Sequence, residues 1–217
     1  MAGSASLALM RTDDTKRTHG RAPDACGRES VYTPAGSSNS SSSSQIPIRA
    51  VIFDVGGVVT GLRYGRLYKY AVYGFDALRR VVTRRKNDVE NYIRVYRSTR
   101  KFNDGILQVV RELKAAGYRV PVLSNATHEN IRAAKEFGAY DHFEPLILSA
   151  EVGFEKPDRR IFELAAKRIG LRPEECVFID DKRRNVEVAR GAGYNAILFR
   201  NAKQLRKDLQ KHGVKIG

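Results

Sequence analysis

The chain has 217 residues, 42% of them hydrophobic, which is enough for one sizeable core but leaves no run near the roughly 20 apolar residues of a membrane span. Its 39 Lys and Arg against 24 Asp and Glu give a formal net charge of +15, which favours anionic partners without choosing among phosphorylated metabolites, nucleic acid and acidic lipid surfaces. Cys26 and Cys176 make neither a disulfide framework nor a zinc spacing, and so fit a reducing, cytoplasmic compartment.

Residues 1–45 are rich in Ser, Gly, Thr and Ala, with a serine run from Ser41 to Ser44. They hold too little apolar surface to offset the entropy of ordering, so a disordered tail is expected, with a regulatory phosphoserine tract as the sharper alternative. Met1 to Met10 is too short and weakly apolar for a secretory signal, while organelle targeting by the tail stays open.

The folded domain is expected over 46–217. Val51, Ile52 and Phe53 run straight into Asp54 and the pair Gly56 and Gly57, as when a buried parallel strand ends at the mouth of a sheet. Asp54 is then either a turn cap or a functional acid in the crevice where α/β sheets bind ligands. Residues 62–101 form an insert, basic and tyrosine-rich, whose spacing of Leu78, Val81, Val82, Val89, Tyr92, Ile93 and Tyr96 predicts two or three short helices. Its cluster of Arg79, Arg80, Arg84, Arg85 and Lys86 is either a solvated helix face or, with the tyrosines, a footprint for RNA or phosphate.

From Asp104 onward helices and strands alternate. Asp104 is positioned to cap a helix carrying Ile106, Val109, Val110 and Leu113, and a strand spans Arg119 to Leu123. Helices follow at 129–137, 158–169, 183–192 and 202–211, with strands at 146–148, 177–179 and 196–199. That alternation predicts a Rossmann-like α/β fold, a parallel sheet with helices on both faces and a small helical cap insert.

The strand ends and the loops after them collect chemistry: Asp54 with the glycines, Ser124 and Asn125, Lys156, and Asp180 with Asp181. Clustered carboxylates repel unless a proton or cation joins them, and hard oxygen ligands suit magnesium. Asp54 and Asp181 are the expected carboxylate ligands. Lys156, the Ser124 hydroxyl and amides near Gly56 and Gly57 would surround a dianionic tetrahedral group, so the set reads as a phosphoryl site. His19, His128, His142 and His212 are expected in surface or capping roles.

In order and context these stretches resemble the four motifs of the haloacid dehalogenase superfamily: Phe53 to Val58, Leu123-Ser124-Asn125, Glu155 to Asp158, and Phe178 to Asp181 followed by Asn185. The resemblance spans about Ala50 to Phe199. It implies that Asp54 is the nucleophile, Ser124 the phosphate-binding hydroxyl, Lys156 the lysine that steadies both, and Asp181 a Mg2+ ligand. It further implies that Gly56 lends a backbone carbonyl to the metal, and that Asp180 and Asn185 support the site. Asn125 and Gly57 complete the expected substrate-binding set.

Two features depart from that pattern. Gly56 stands where typical phosphatases of the superfamily carry a second aspartate as general acid, although some members read D-x-G-G or D-x-G-N. The insert is also short for a full cap, because the interval from Asp54 to Ser124 must hold the helix from Asp104 as well. The expected activity is that of a magnesium-dependent phosphoric monoester hydrolase acting on a small phosphorylated substrate through an aspartyl-phosphate on Asp54. The alternatives are a 2-haloacid dehalogenase and a catalytically degenerate member that binds nucleic acid or another polyanion.

Overall fold

The computed structural model describes residues 46–63 and 89–217 of the protein. The expectations for the tail, and for the insert up to and including the basic cluster Arg79 to Lys86, lie outside these residues.

A five-stranded parallel sheet forms the centre, with strands β1 (Ala50–Phe53), β4 (Val122–Ser124), β5 (Leu146–Leu148), β6 (Cys176–Asp180) and β7 (Asn195–Leu198) in the order β5-β4-β1-β6-β7. The chain fills one side of β1, then returns to fill the other. Such a reversal opens a crevice beyond the strand ends next to β1. In β1, Val51 and Phe53 face one apolar layer while Ala50 and Ile52 face the other, and all four are fully buried. Burial on both faces explains why β1 reads as an uninterrupted apolar run rather than an alternating one.

Helices α2 (Asp104–Ala115), α3 (His128–Glu136) and α7 (Ala202–Lys211) contribute Ile106, Val109, Ile131, Leu205 and Leu209 to the first layer. Helices α5 (Arg159–Ile169) and α6 (Arg183–Gly191) contribute Ile161, Phe162, Ile169, Val186 and Ala189 to the second. Caps set several starts: Thr127 Oγ1 accepts from the Asn130 amide at 3.3 Å, Asp158 Oδ1 from Arg160 at 2.9 Å, and Asn201 Oδ1 from Gln204 at 2.9 Å. At α2 the cap position belongs to Asn103, and Asp104 is the first helical residue, where its charge favours the helix N-terminus.

The strand expected from Arg119 narrows to Val122–Ser124. Arg119 and Val120 form isolated bridges to Ala50 and Glu144, and Pro121 has no amide hydrogen to offer a ladder. Three elements carried no sequence signal. Helix α4 (Ser149–Val152) is a single turn, and β2 (Thr60–Leu62) pairs antiparallel with β3 (Arg100–Phe102) beside the turn that follows Asp54. Helix α1 (Val89–Thr99) leads into β3 and packs along α3, where the Tyr92 hydroxyl donates to Asn130 Oδ1 at 2.5 Å. No helix among the described residues is long and apolar enough to cross a membrane.

Candidate active site

Asp54 follows β1 directly, and its amide donates to the Ile179 carbonyl of β6 at 2.9 Å, which fixes where the side chain emerges. Beside it the ammonium of Lys156 donates to Asp54 Oδ1 at 2.6 Å, Asp180 Oδ2 at 2.7 Å and the Leu123 carbonyl at 2.7 Å. An ammonium has three hydrogens, so these partners use all of them. Lys156 is 4% exposed and Asp180 fully buried, so the three groups lock the ends of β1, β4 and β6 together in a low-dielectric setting.

Asn125 grips the Lys156 peptide from both sides, its Nδ2 donating to the Lys156 carbonyl at 2.7 Å and its Oδ1 accepting from the Lys156 amide at 2.8 Å. Asn125 thus positions the lysine while also lining the cavity. Asp180 is likewise engaged at both oxygens: Oδ2 accepts from Lys156 and from Asn185 Nδ2 at 2.9 Å, and Oδ1 from the Lys182 amide at 2.8 Å. Asn185, buried on the first turn of α6, is therefore a support for Asp180.

The turn after Asp54 is closed by Gly57 donating to the Thr60 carbonyl at 2.7 Å and Thr60 donating to the Val55 carbonyl at 2.8 Å. With its amide engaged, Gly57 does not present that hydrogen to an anion as expected. Its contribution is room. Its φ is +100°, and a Cβ placed there would lie 2.3 Å from Asp181 Oδ2, so only glycine lets the aspartate sit where it does. Gly56 differs, since a Cβ at that position would meet nothing within 4 Å. Ser124 ends β4, is 5% exposed, and keeps its hydroxyl uncommitted among the described residues while lining the cavity.

That cavity, about 700 Å³, is shared by Asp54, Ser124, Lys156 and Asp181 and extends past Tyr140 to Arg100 on β3. Burial raises the Asp54 carboxyl to about 6; Lys156 pulls it down, and Asp180 and Asp181 push it up. For Lys156, burial opposes the charge, but Asp54 and Asp180 outweigh it and raise its pKa above the ordinary value. Asp181 is raised by burial and then by Asp180.

Oxygens of Asp54, Asp180 and Asp181 lie within 4.8 Å of one another, with Lys156 as the one buried cation described among them. Asp181 Oδ1 is buried without a hydrogen-bond partner. A buried acceptor left without a donor is costly, and three converging carboxylates are hard oxygen donors, so these residues fit a divalent cation such as magnesium. Tyr96, read from its spacing as part of a helix in the insert, reaches the cavity wall, whereas sequence reasoning missed Tyr140 and Arg100, the latter because no local pattern marks a three-residue strand or the residue it turns inward.

A model of the haloacid dehalogenase-like hydrolases matches residues 62–193, more than half of the chain. The glyceraldehyde 3-phosphate phosphatase of Methanothermobacter thermautotrophicus is 36% identical over 109 residues, covering 48% of this chain and 48% of that protein. The (S)-2-haloacid dehalogenase 4A of Burkholderia cepacia is 30% identical over 114 residues, 52% of this chain and 49% of its own. The chain thus spans about half the length of these two curated relatives. Among solved structures, a phosphatase of the family from Thermococcus onnurineus aligns with a TM-score of 0.60 at 19% identity, covering 78% of this chain and all (100%) of that one. An enzyme of the family from Bacteroides thetaiotaomicron, in complex with magnesium and inorganic phosphate, aligns at 0.59 with 21% identity, covering 71% and 95%. The parallel sheet order and the matched family model agree: this chain belongs to the haloacid dehalogenase-like hydrolases.

Proposed function

We propose that the protein is a magnesium-dependent phosphomonoesterase in which Asp54 attacks phosphorus in line to form an aspartyl-phosphate. The observation that carries this reading is the buried Lys156 bridging Asp54 and Asp180, with the partnerless Asp181 oxygen in the same cavity. Asp54, Asp181 and the Gly56 carbonyl would hold the cation, which when bound neutralises charge between carboxylates and a phosphate dianion.

The chain's own groups would divide the remaining work. Lys156 fixes the Asp54 carboxylate at one oxygen and lowers its charge, so that a dianion can approach. Because its three hydrogens are engaged, Lys156 acts on the phosphoryl group mainly through its field. Ser124 Oγ is available to donate to a phosphoryl oxygen, and its place at the end of β4 sets the approach. Among the described residues no carboxylic acid replaces the missing aspartate at Gly56, since the cavity acids are Asp54 and Asp181 themselves. Tyr140 is a poor proton donor because burial raises its phenol above the ordinary value. The leaving oxygen would therefore take its proton from water in the open space at Gly56, and esters with good leaving groups should turn over fastest.

Gly56 also favours a second reading, displacement of a halide, which leaves without a proton. The three converging carboxylates weigh against it, since attack on carbon by Asp54 needs no cation site. Phosphate release from a panel of sugar phosphates, nucleotides and phospho-acids, with magnesium or with EDTA, and chloride release from 2-chloropropionate separate the two. Phosphate release should require magnesium and vanish in Asp54→Asn. Hydrolysis that survives Asp54→Asn would overturn the mechanism.

A further inference from the structure

The floor of the cavity accounts for a phosphoryl group, yet the cavity, which the exposed Lys182 also lines, continues to a further, partly buried cation that the floor does not use. Arg100 opens β3, where it pairs with Leu62 of β2. The strand is tied back on both sides, by the Arg63 amide to the Thr99 carbonyl at 2.9 Å and by the Asn103 amide to the Val59 carbonyl at 2.9 Å. Arg100 is thus held against the segment that leaves the nucleophile. Its side chain is partly buried, its guanidinium carbon lies 5.1 Å from the centre of the Tyr96 ring, and its Nε is buried with no hydrogen-bond partner. Among the described residues no carboxylate pairs with it. Tyr140, Asp54 and Arg100 line the same cavity, so the guanidinium and the nucleophile address one space.

A planar guanidinium that lines the cavity, is backed by an aromatic ring and pairs with no carboxylate among the described residues is suited to a bidentate carboxylate. We propose that Arg100 is a specificity residue that takes a carboxylate at the distal end of the substrate, so that the preferred substrates are phosphate monoesters of small hydroxy acids. This rests on the phosphatase reading for the phosphoryl end, but the distal site is a binding property and stands or falls by itself. Hydrogen bonds to charged groups are worth roughly 10- to 100-fold in binding, which sets the scale of the expected preference.

The test is calorimetric titration of the full chain, with magnesium, against phosphonocarboxylates of two to six carbons and alkylphosphonates of matched length, in wild type, Arg100→Gln and Arg100→Lys. At the best length the wild type should bind the acid at least about 10-fold tighter than the neutral partner, as expected for one charge-assisted bond. Arg100→Gln should bring that ratio toward one, and Arg100→Lys, which keeps charge without the planar fork, should retain part of it. The same ratios in kcat/KM should appear for the corresponding phosphate esters. No preference at any length, or an Arg100→Gln variant that weakens both ligands equally, overturns the proposal. Unequal binding in wild type with no turnover of any ester would leave the carboxylate site intact and count against the phosphatase reading instead. Should Arg100→Gln fail to fold, the wild-type and Arg100→Lys ratios still decide.

Discussion

The floor and the wall of the cavity are built on opposite terms. On the floor, Lys156 has a partner for each hydrogen, Asp180 accepts from three donors, and Asn125 and Asn185 spend their amides holding those two in place. The wall has a two-stranded hairpin of three residues a side and a guanidinium with an unsatisfied nitrogen. A saturated network tolerates little change and preserves one chemistry, whereas a sparsely bonded wall can be altered without disturbing it. On the proposed reading, the chemistry would belong to the strand ends and the choice of substrate to the β2–β3 pair.

That contrast predicts graded consequences. Lys156→Met should be the most damaging change, since it leaves Asp54 and Asp180 buried without their cation. Breaking a buried pair this way costs about 3–5 kcal/mol, so denaturant unfolding at neutral pH should show a loss of that order together with loss of turnover. A Lys156→Met variant of ordinary stability would break the picture of an interlocked floor.

Gly56→Asp should move activity in the opposite direction. A side chain has open space there and needs no left-handed backbone, so a restored general acid could supply up to roughly 100-fold on alkyl phosphates, whose leaving groups need a proton. In the first turnover, read as the burst of released alcohol, aryl phosphates with their better leaving groups should gain much less. Equal gains on both would show that proton delivery is not what the wild-type floor lacks.

Gly57→Ala, one residue on, should be harmful. The backbone strain is worth roughly 1–3 kcal/mol. The added methyl would displace Asp181, so magnesium affinity by calorimetry should fall more than thermal stability does. The reverse ranking would mean that the turn matters more than the carboxylate behind it.

The smallest effect is expected far from the cavity, where Arg206 of α7 pairs with Glu112 of α2. Its hydrogen bonds hold the Glu112 carboxyl below its ordinary value of 4.5. A carboxyl lowered by folding adds stability above the unfolded pKa and loses it as pH falls through the folded value. Glu112→Gln should flatten the acid limb of stability below about pH 4.5, by less than about 1 kcal/mol for a pair near the surface. The floor should titrate independently of this change.

How much of this was legible beforehand follows the same division. Asp54, Ser124 and Asp180 could be found because each closes or follows an apolar strand, and a parallel sheet brings such ends to one edge whatever lies between. Lys156 could be placed near them by the loop that carries it, but not its three bonds. Asn125 was expected at the substrate; it lines the cavity and also holds the Lys156 peptide, a role that depends on which way one amide faces. The hairpin could not be read at all, because Thr60–Leu62 and Arg100–Phe102 are too short for any period and their partnership spans the whole insert. Short pairing between distant segments is a tertiary fact, and Arg100 is hidden with it.

Gly56 has a consequence in time as well as in specificity. The group that protonates a leaving alcohol is ordinarily the one that later deprotonates the attacking water, so a site without it is slowed twice. If Asp54 becomes phosphorylated by a reactive ester, the second half of the cycle would lag the first. The covalent form would accumulate, giving an initial burst of alcohol followed by a slow release of phosphate, and the resting population under substrate would be the phosphorylated chain rather than the bare one.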